Sequence, residues 1–265
     1  MGDTRENEQD RQANEVQQNQ APAPAEAAKP EKGKLLGWDI MVVPDGYKGA
    51  LPTTNWIFKK QKTEAEDLFK KIEAGTTSIK IHETSGTDWG HTNDSYPGFK
   101  EKVIKALKRL MTIPPGRKLL KQLAEGGKDV TIRPSKKVTG AAAGAHDDAA
   151  SKNGKGSAST VYLDPNLSDK SVKVYDKDGK KLATPVFLAL GHELIHASHN
   201  QAGTRDTTKT GDAWDNQEEK NTIESGPGVT ENDLRRSLGL GKRHGHGGEM
   251  GADRTKTVQG GGAGG

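Results

Sequence analysis

The stretch TPVFLALGHELIHASHNQAG, residues 184 to 203, constrains the fold more than any other part of this chain of 265 residues. Thr184 can cap a helix and Pro185 suits the first helical position. An apolar run carrying His192, Glu193, His196 and His199 then continues to a stop at Gly203. On such a helix His192 and His196, four residues apart, project from one face about one turn apart, so they can share one cation. Zinc held by two imidazoles and one further ligand keeps a position for water. Glu193, beside the first histidine, is placed to take that water's proton as it attacks a peptide carbonyl. His-Glu-x-x-His is the signature of metallopeptidases.

The chain has no cysteine, which excludes a disulfide framework, a zinc ribbon and a thiol nucleophile together and leaves histidine and carboxylate to hold a metal. Its 40 basic and 36 acidic residues are interspersed rather than split into blocks, so no nucleic-acid partner is expected. No apolar run approaches the roughly 18 residues that a membrane span needs. The N-terminal MGDTRENEQD lacks the basic and apolar regions of a Sec signal peptide. Secretion without such a signal, into a target cell's cytoplasm, is one expectation for location; the bacterial cytoplasm is the other.

With only 31% hydrophobic residues and 33 glycines, apolar side chains must be concentrated if a core is to form. Residues 1–34, rich in Gln, Asn, Glu, Ala and Pro, read as a disordered tail, and residues 249–265 as a flexible Gly-rich tail. Between them, residues 35–248 read as one α+β domain. KTEAEDLFKKIEAG predicts a helix ending at Gly75, and TSIKIHE a strand. FKEKVIKALKRLM is an amphipathic helix with Phe99, Val103, Ala106 or Leu107, and Leu110 on its buried stripe. Pro114 and Pro115 stop it, and GRKLLKQLAEGG forms another helix. VTIRP and STVYLDP read as strands, and residues 139–158 between them as a small-residue loop without periodicity. SVKVYDKDGKKLAT reads as a hairpin with a two-residue turn at Asp178-Gly179.

The third metal ligand is less directly readable. A metzincin would carry Gly where His199 stands and His where Ala202 stands, so that class is excluded. His199 lies about 10 Å along the helix from His192, too far to share the ion, and reads as a residue supporting the ligands from behind or as a surface residue, with the surface preferred. A downstream helix from about Asp215 to Glu224, in WDNQEEKNTIESG, offers Glu218 and Glu219, the gluzincin arrangement. Glu218 is preferred, because Thr222 lies one turn on and can support a ligand, whereas the same step from Glu219 reaches Ile223. TENDLRRSLGLG then offers a capping box, Thr230 with Asp233, and a last helix to Gly239. Arg236, Arg243, His244 and His246 are the available donors to an oxyanion; each taken alone reads more simply as basic surface or as a flexible His-Gly tail.

At this point the sequence resembles the NleD-type effector zinc metallopeptidases, the group that includes HopH- and XopG-like effectors. The resemblance rests on LKRLMTIPPGRKLLKQLAEGGKDVTI, STVYLDPN, PVFLALGHELIHASHNQAGT, WDNQEEKNTI and TENDLRRSLGLGKR, in the family's order, over most of residues 100–247. It implies a zincin-like endopeptidase delivered into another cell, with one zinc ion on His192 and His196, Glu193 as base, and Glu218 or Glu219 completing the site. A protein substrate is implied, and in the best-known members that is a host signalling protein. In one place the chain departs from the family: where Arg-x-x-Tyr is expected it reads Arg243-His244-Gly245-His246, so His246 stands where a transition-state tyrosine belongs. Two rival readings are a toxin or housekeeping peptidase acting in its own cell or on neighbouring bacteria, and a non-catalytic interaction module stabilised by zinc.

Overall fold

Leu36 and Gly37, at φ 51° and 89°, turn the chain between the first two strands, β1 (Glu31–Leu35) and β2 (Trp38–Val43), which pair antiparallel. The computed structural model describes residues 28–52, 55–210 and 214–246. The expected tails at 1–27 and 249–265 therefore lie outside the described residues. Glu31 to Lys34, read above as tail, belong to β1, because the alternating backbone bonds of β2 hold them. A short β3 (Trp56–Phe58) adds parallel to β2, and α1 (Lys59–Glu73) follows directly. Leu35, Val43, Ile57 and Phe69 are fully buried at this junction.

The principal sheet has the order β4 (Ile79–Ile81), β5 (Val130–Pro134), β7 (Ser159–Leu163), β6 (Ala141–Ala145). The first three run parallel, and β6 lies antiparallel to β7 at the edge. The expected loop at 139–158 is thus corrected: its AAAGA run is a strand. Alanine and glycine carry no hydrophobic alternation, so pairing with the fully buried β7 makes this strand where side-chain pattern does not. The hairpin β8 (Val174–Tyr175) and β9 (Lys181–Leu182) forms at the expected place with a longer connection. The Asp176 N–H bonds the Lys180 carbonyl, the Asp176 carboxylate accepts the Asp178 and Lys180 N–H groups, and only Gly179 takes positive φ, 77°. A two-residue primed turn is not what closes it.

Two helices, α2 (Phe99–Met111) and α3 (Pro114–Glu125), cover one side of the long apolar helix α4 (Val186–Ala202), whose other side lies on β6 and β7. Pro114 and Pro115 open α3 as much as they end α2, since a missing N–H costs nothing in a first turn. Thirteen of the 17 residues of α4 are buried, so it forms the centre of one contiguous core rather than an amphipathic face. Gly191 makes that possible: a Cβ there would stand 2.9 Å from Leu234 and 3.3 Å from Leu110. Gly203, at φ 72°, ends the helix as expected. The last elements are a short α5 (Gln217–Lys220) continued by a wide turn over Asn221–Ser225, and α6 (Glu231–Ser237), which carries the expected capping box. Among the described residues no helix is long and apolar enough to cross a membrane. The architecture is α+β.

Candidate metal centre

The start of α4 differs by one residue from the expected cap. Pro185 is the cap residue, and the free Val186 N–H is satisfied by the Asp169 carboxylate at 2.8 Å. Thr184 instead accepts a bond from Arg235 at 3.0 Å, a contact between elements that local pattern does not report. Two turns into the helix, His192 and His196 bring their Nε2 atoms within 3.1 Å of each other.

Asn216 caps α5 by accepting the Glu219 N–H at 3.1 Å, which fixes the rotation of this single turn. That rotation sends adjacent glutamates to different ends of the histidines. Glu219 Oε2 stands 3.4 Å from His192 Nε2 and 3.3 Å from His196 Nε2. Glu218 lies behind them: its Oε1 accepts from His196 Nδ1 and His199 Nδ1, both at 2.8 Å. Of the two glutamates, it is Glu219 rather than the preferred Glu218 whose carboxylate converges with both Nε2 atoms. Thr222 is placed as anticipated, 3.1 Å from His196 Nδ1 and donating to Glu218 at 3.4 Å, but the carboxylate it supports orients a histidine. Of the two positions open to His199, the preferred surface one is corrected, and the residue lies behind the histidine pair. Only 2% of it is exposed, because Glu218 draws it under α5.

Sequence reasoning missed Glu231 as a site residue. Its Oε2 accepts from His192 Nδ1 at 2.9 Å and from Arg243 at 2.7 Å, and its Oε1 accepts from Arg235 at 2.6 Å. Arg235 is fully buried and Arg243 nearly so, which sets aside the reading of Arg243 as loose basic tail. Asn232 bonds the Arg243 backbone at both N–H and carbonyl, holding the segment that follows α6 against that helix. The quoted TENDLRRS segment carried the signal, but only its capping pattern was interpretable from the sequence.

Glu193 borders two cavities, of about 420 and 210 Å³, that flank the histidines. Among the described residues no hydrogen bond engages its carboxylate, which leaves its acceptor capacity facing the open space. His246 lines both cavities. Its ring lies nearly parallel to that of His192 with centroids 6.0 Å apart, and its Nε2 is 3.3 Å from Glu219 Oε2. Its Nδ1 is 2.5 Å from Asp215 Oδ2. Of the other oxyanion candidates, Arg236 pairs with Asp233, while His244 pairs with Glu224 and meets Trp214 edge to face. A larger cavity of about 590 Å³ between α1 and α3 touches none of these residues.

The electrostatics follow from that packing. Burial works against charge on His192, and the carboxylates of Glu219 and Glu231 more than offset it, so the ring holds a proton above its ordinary range. Burial likewise opposes charge on His196, which Glu218 and Glu219 outweigh. Burial would raise the three carboxyls, but the histidines depress Glu218 and Glu219, and Arg243 with His192 depresses Glu231. With each Nδ1 committed to a carboxylate, the Nε2 atoms of both histidines converge with Glu219 Oε2. These three donor atoms, 3.1 to 3.4 Å apart, form the one compact metal-type group among the described residues. A tetrahedral site with bonds near 2.0 to 2.1 Å has ligand edges of about 3.3 Å. Glu219 Oε2 is buried and lacks a hydrogen-bond partner, so the donor set fits a cation in both spacing and unmet need.

The sequence profile of peptidase family M91, described as effector protein, matches residues 88–247, more than half of the chain. No curated protein matches. Among solved structures the chain is similar to the catalytic domain of Clostridium botulinum neurotoxin serotype F, at 15% identity over 51% of this chain and 50% of that one, with a TM-score of 0.39. The light chain of serotype F matches at 16% identity over 48% and 44%, TM-score 0.34. The botulinum neurotoxin serotype HA light chain matches at 16% over 64% and 48%, TM-score 0.33. The chain spans about half the length of these structures.

Proposed function

The chain belongs to peptidase family M91, and from that premise we propose that it is a zinc-dependent endopeptidase of the gluzincin-like type, an effector that cleaves a protein inside a target cell. The observation that carries the reading is the convergence of His192 Nε2, His196 Nε2 and Glu219 Oε2, with Glu193 beside them on the cavities. His192, His196 and Glu219 would hold one zinc ion in a zincin-like domain spanning about the described residues from Glu31 to His246. When bound, zinc polarises the peptide carbonyl and makes water acidic near neutral pH.

The protein's own groups supply the remainder. Glu193 takes a proton from the attacking water and returns it to the leaving amine. Glu231 and Glu218, each on an Nδ1, fix the histidine tautomers so that both Nε2 lone pairs face Glu219. Arg235 and Arg243 fix Glu231 in turn. His246 lines both cavities with its Nε2 3.3 Å from Glu219 and is the donor to the oxyanion as the doubly protonated ring, its Nδ1–H on Asp215 and its Nε2–H towards the cavity. A purely structural metal site has no use for a carboxylate in the place of Glu193, which favours catalysis over the zinc-stabilised interaction module.

The test is cleavage of a proteome-derived peptide library by the full chain, before and after chelation and after zinc is restored. Cleavage that chelation abolishes and zinc restores supports the reading. A zinc-loaded chain that cleaves nothing supports the interaction module.

A further inference from the structure

His246 sits at the end of a segment fixed at several points, yet none of these fixes its ring. Arg243 is tied to Asn232 and Glu231, and the His244 N–H bonds the Tyr175 carbonyl at 3.0 Å. Those contacts place the backbone. The rotation of the His246 ring is set by its Nδ1 contact to Asp215 Oδ2 at 2.5 Å, which turns Nε2 towards Glu219. Asp215 immediately precedes Asn216, the cap of the turn that carries Glu218 and Glu219. One stretch of five residues therefore anchors the His246 ring, orients His196 and supplies the carboxylate of the donor group.

We infer that Asp215 is a positioning residue that acts through His246, holding its Nε2 edge at the cavity beside Glu219. The inference deepens the peptidase reading and rests on it for its consequence, but not for the contact itself. A phenol in this position reaches the site through its single hydroxyl. An imidazole must have its second nitrogen occupied if the first is to stay aimed, and Asp215 meets that need. The Asp215 side chain is 42% exposed and that of His246 33%, so the contact is worth little to folding and its effect should appear in the site.

The contact is read first in the full chain without metal, by long-range proton–nitrogen NMR of the histidine rings. The expected result is a hydrogen-bonded Nδ1 proton on His246 that disappears in Asp215→Ala, returns in Asp215→Asn, and leaves the His192 and His196 signals in place. Absence of that bonded proton in the parent chain, or its persistence in Asp215→Ala, overturns the inference whether or not the chain is a peptidase. Kinetics of the zinc-loaded chain give the second readout. Asp215→Ala should lower kcat about tenfold or more with KM within about twofold and zinc content unchanged, and His246→Ala about 100-fold. The double variant should be no slower than His246→Ala alone; a further loss of tenfold in the double variant would mean that Asp215 acts elsewhere. A parent chain that shows the bonded proton but no cleavage sinks the peptidase reading and leaves the Asp215–His246 pairing standing.

Discussion

Glu218 accepts the Nδ1–H of His196 at 2.8 Å, and this bond separates its role from that of the neighbouring Glu219, which stands 3.3 Å from the opposite nitrogen of the same ring. Two adjacent glutamates thus grip one imidazole from both ends. In the proposed site one orients and the other binds.

Substitution should divide them. Glu219→Ala removes a donor atom and should abolish stoichiometric zinc binding. Glu218→Ala leaves the three donors and should weaken zinc by about 10 to 100-fold, the usual cost of losing a carboxylate behind a ligating histidine. Titration with a competing chelator measures both; equal losses would contradict the division of roles.

Glu231 is the counter-charge to two buried guanidinium groups as well as the partner of His192. Glu231→Gln leaves Arg235 and Arg243 uncompensated and should destabilise the fold by about 3 to 5 kcal/mol. Chemical denaturation of the metal-free chain reads this, and the loss should shrink as pH falls. The Glu231 carboxyl is held below its ordinary 4.5, so its contribution is complete above that pH and disappears as pH drops through the folded value.

The metal-free chain should have a stability optimum between about pH 4.5 and 6.5. Glu218 and Glu219, depressed from 4.5, stabilise above that value and lose their effect as pH falls. His192 and His196, raised from 6.5, stabilise fully below 6.5, and His196 loses its effect as pH rises towards about 10. Zinc must displace these protons, so its binding should weaken as pH falls and the optimum of the loaded chain should lie above 6.5. Thermal unfolding against pH, with and without zinc, checks both signs.

Gly191 is a packing requirement of the central helix. Gly191→Val puts branched carbons against Leu234 and Leu110 and should cost about 1 to 3 kcal/mol. Gly191→Ala meets mainly the movable end of Leu234 at 2.9 Å, and a helix-propensity gain of about 0.5 to 1 kcal/mol offsets most of the crowding. Denaturant midpoints of the two variants should therefore differ clearly.

The histidine pair and its helix were legible because spacing of four on an apolar run is a local property. The proposed third donor was not. Glu218 and Glu219 share one short turn, and the Asn216 cap with the packing of α5 decides which meets the Nε2 atoms and which the Nδ1 side. His199, Glu231 and Asp215 were hidden for a related reason: each gains its role from a partner 12 to 39 residues away. Strand β6 has no pattern of its own and exists through pairing with β7.

A zinc peptidase built on these residues is tested first by the zinc content of the purified full chain and of Glu193→Ala and Glu219→Ala, measured by elemental analysis beside peptide cleavage. One zinc per chain is expected in the parent and in Glu193→Ala, none retained in Glu219→Ala, and cleavage by the parent alone. A parent chain without zinc, or a Glu193→Ala variant that cleaves at the parental rate, would contradict that reading.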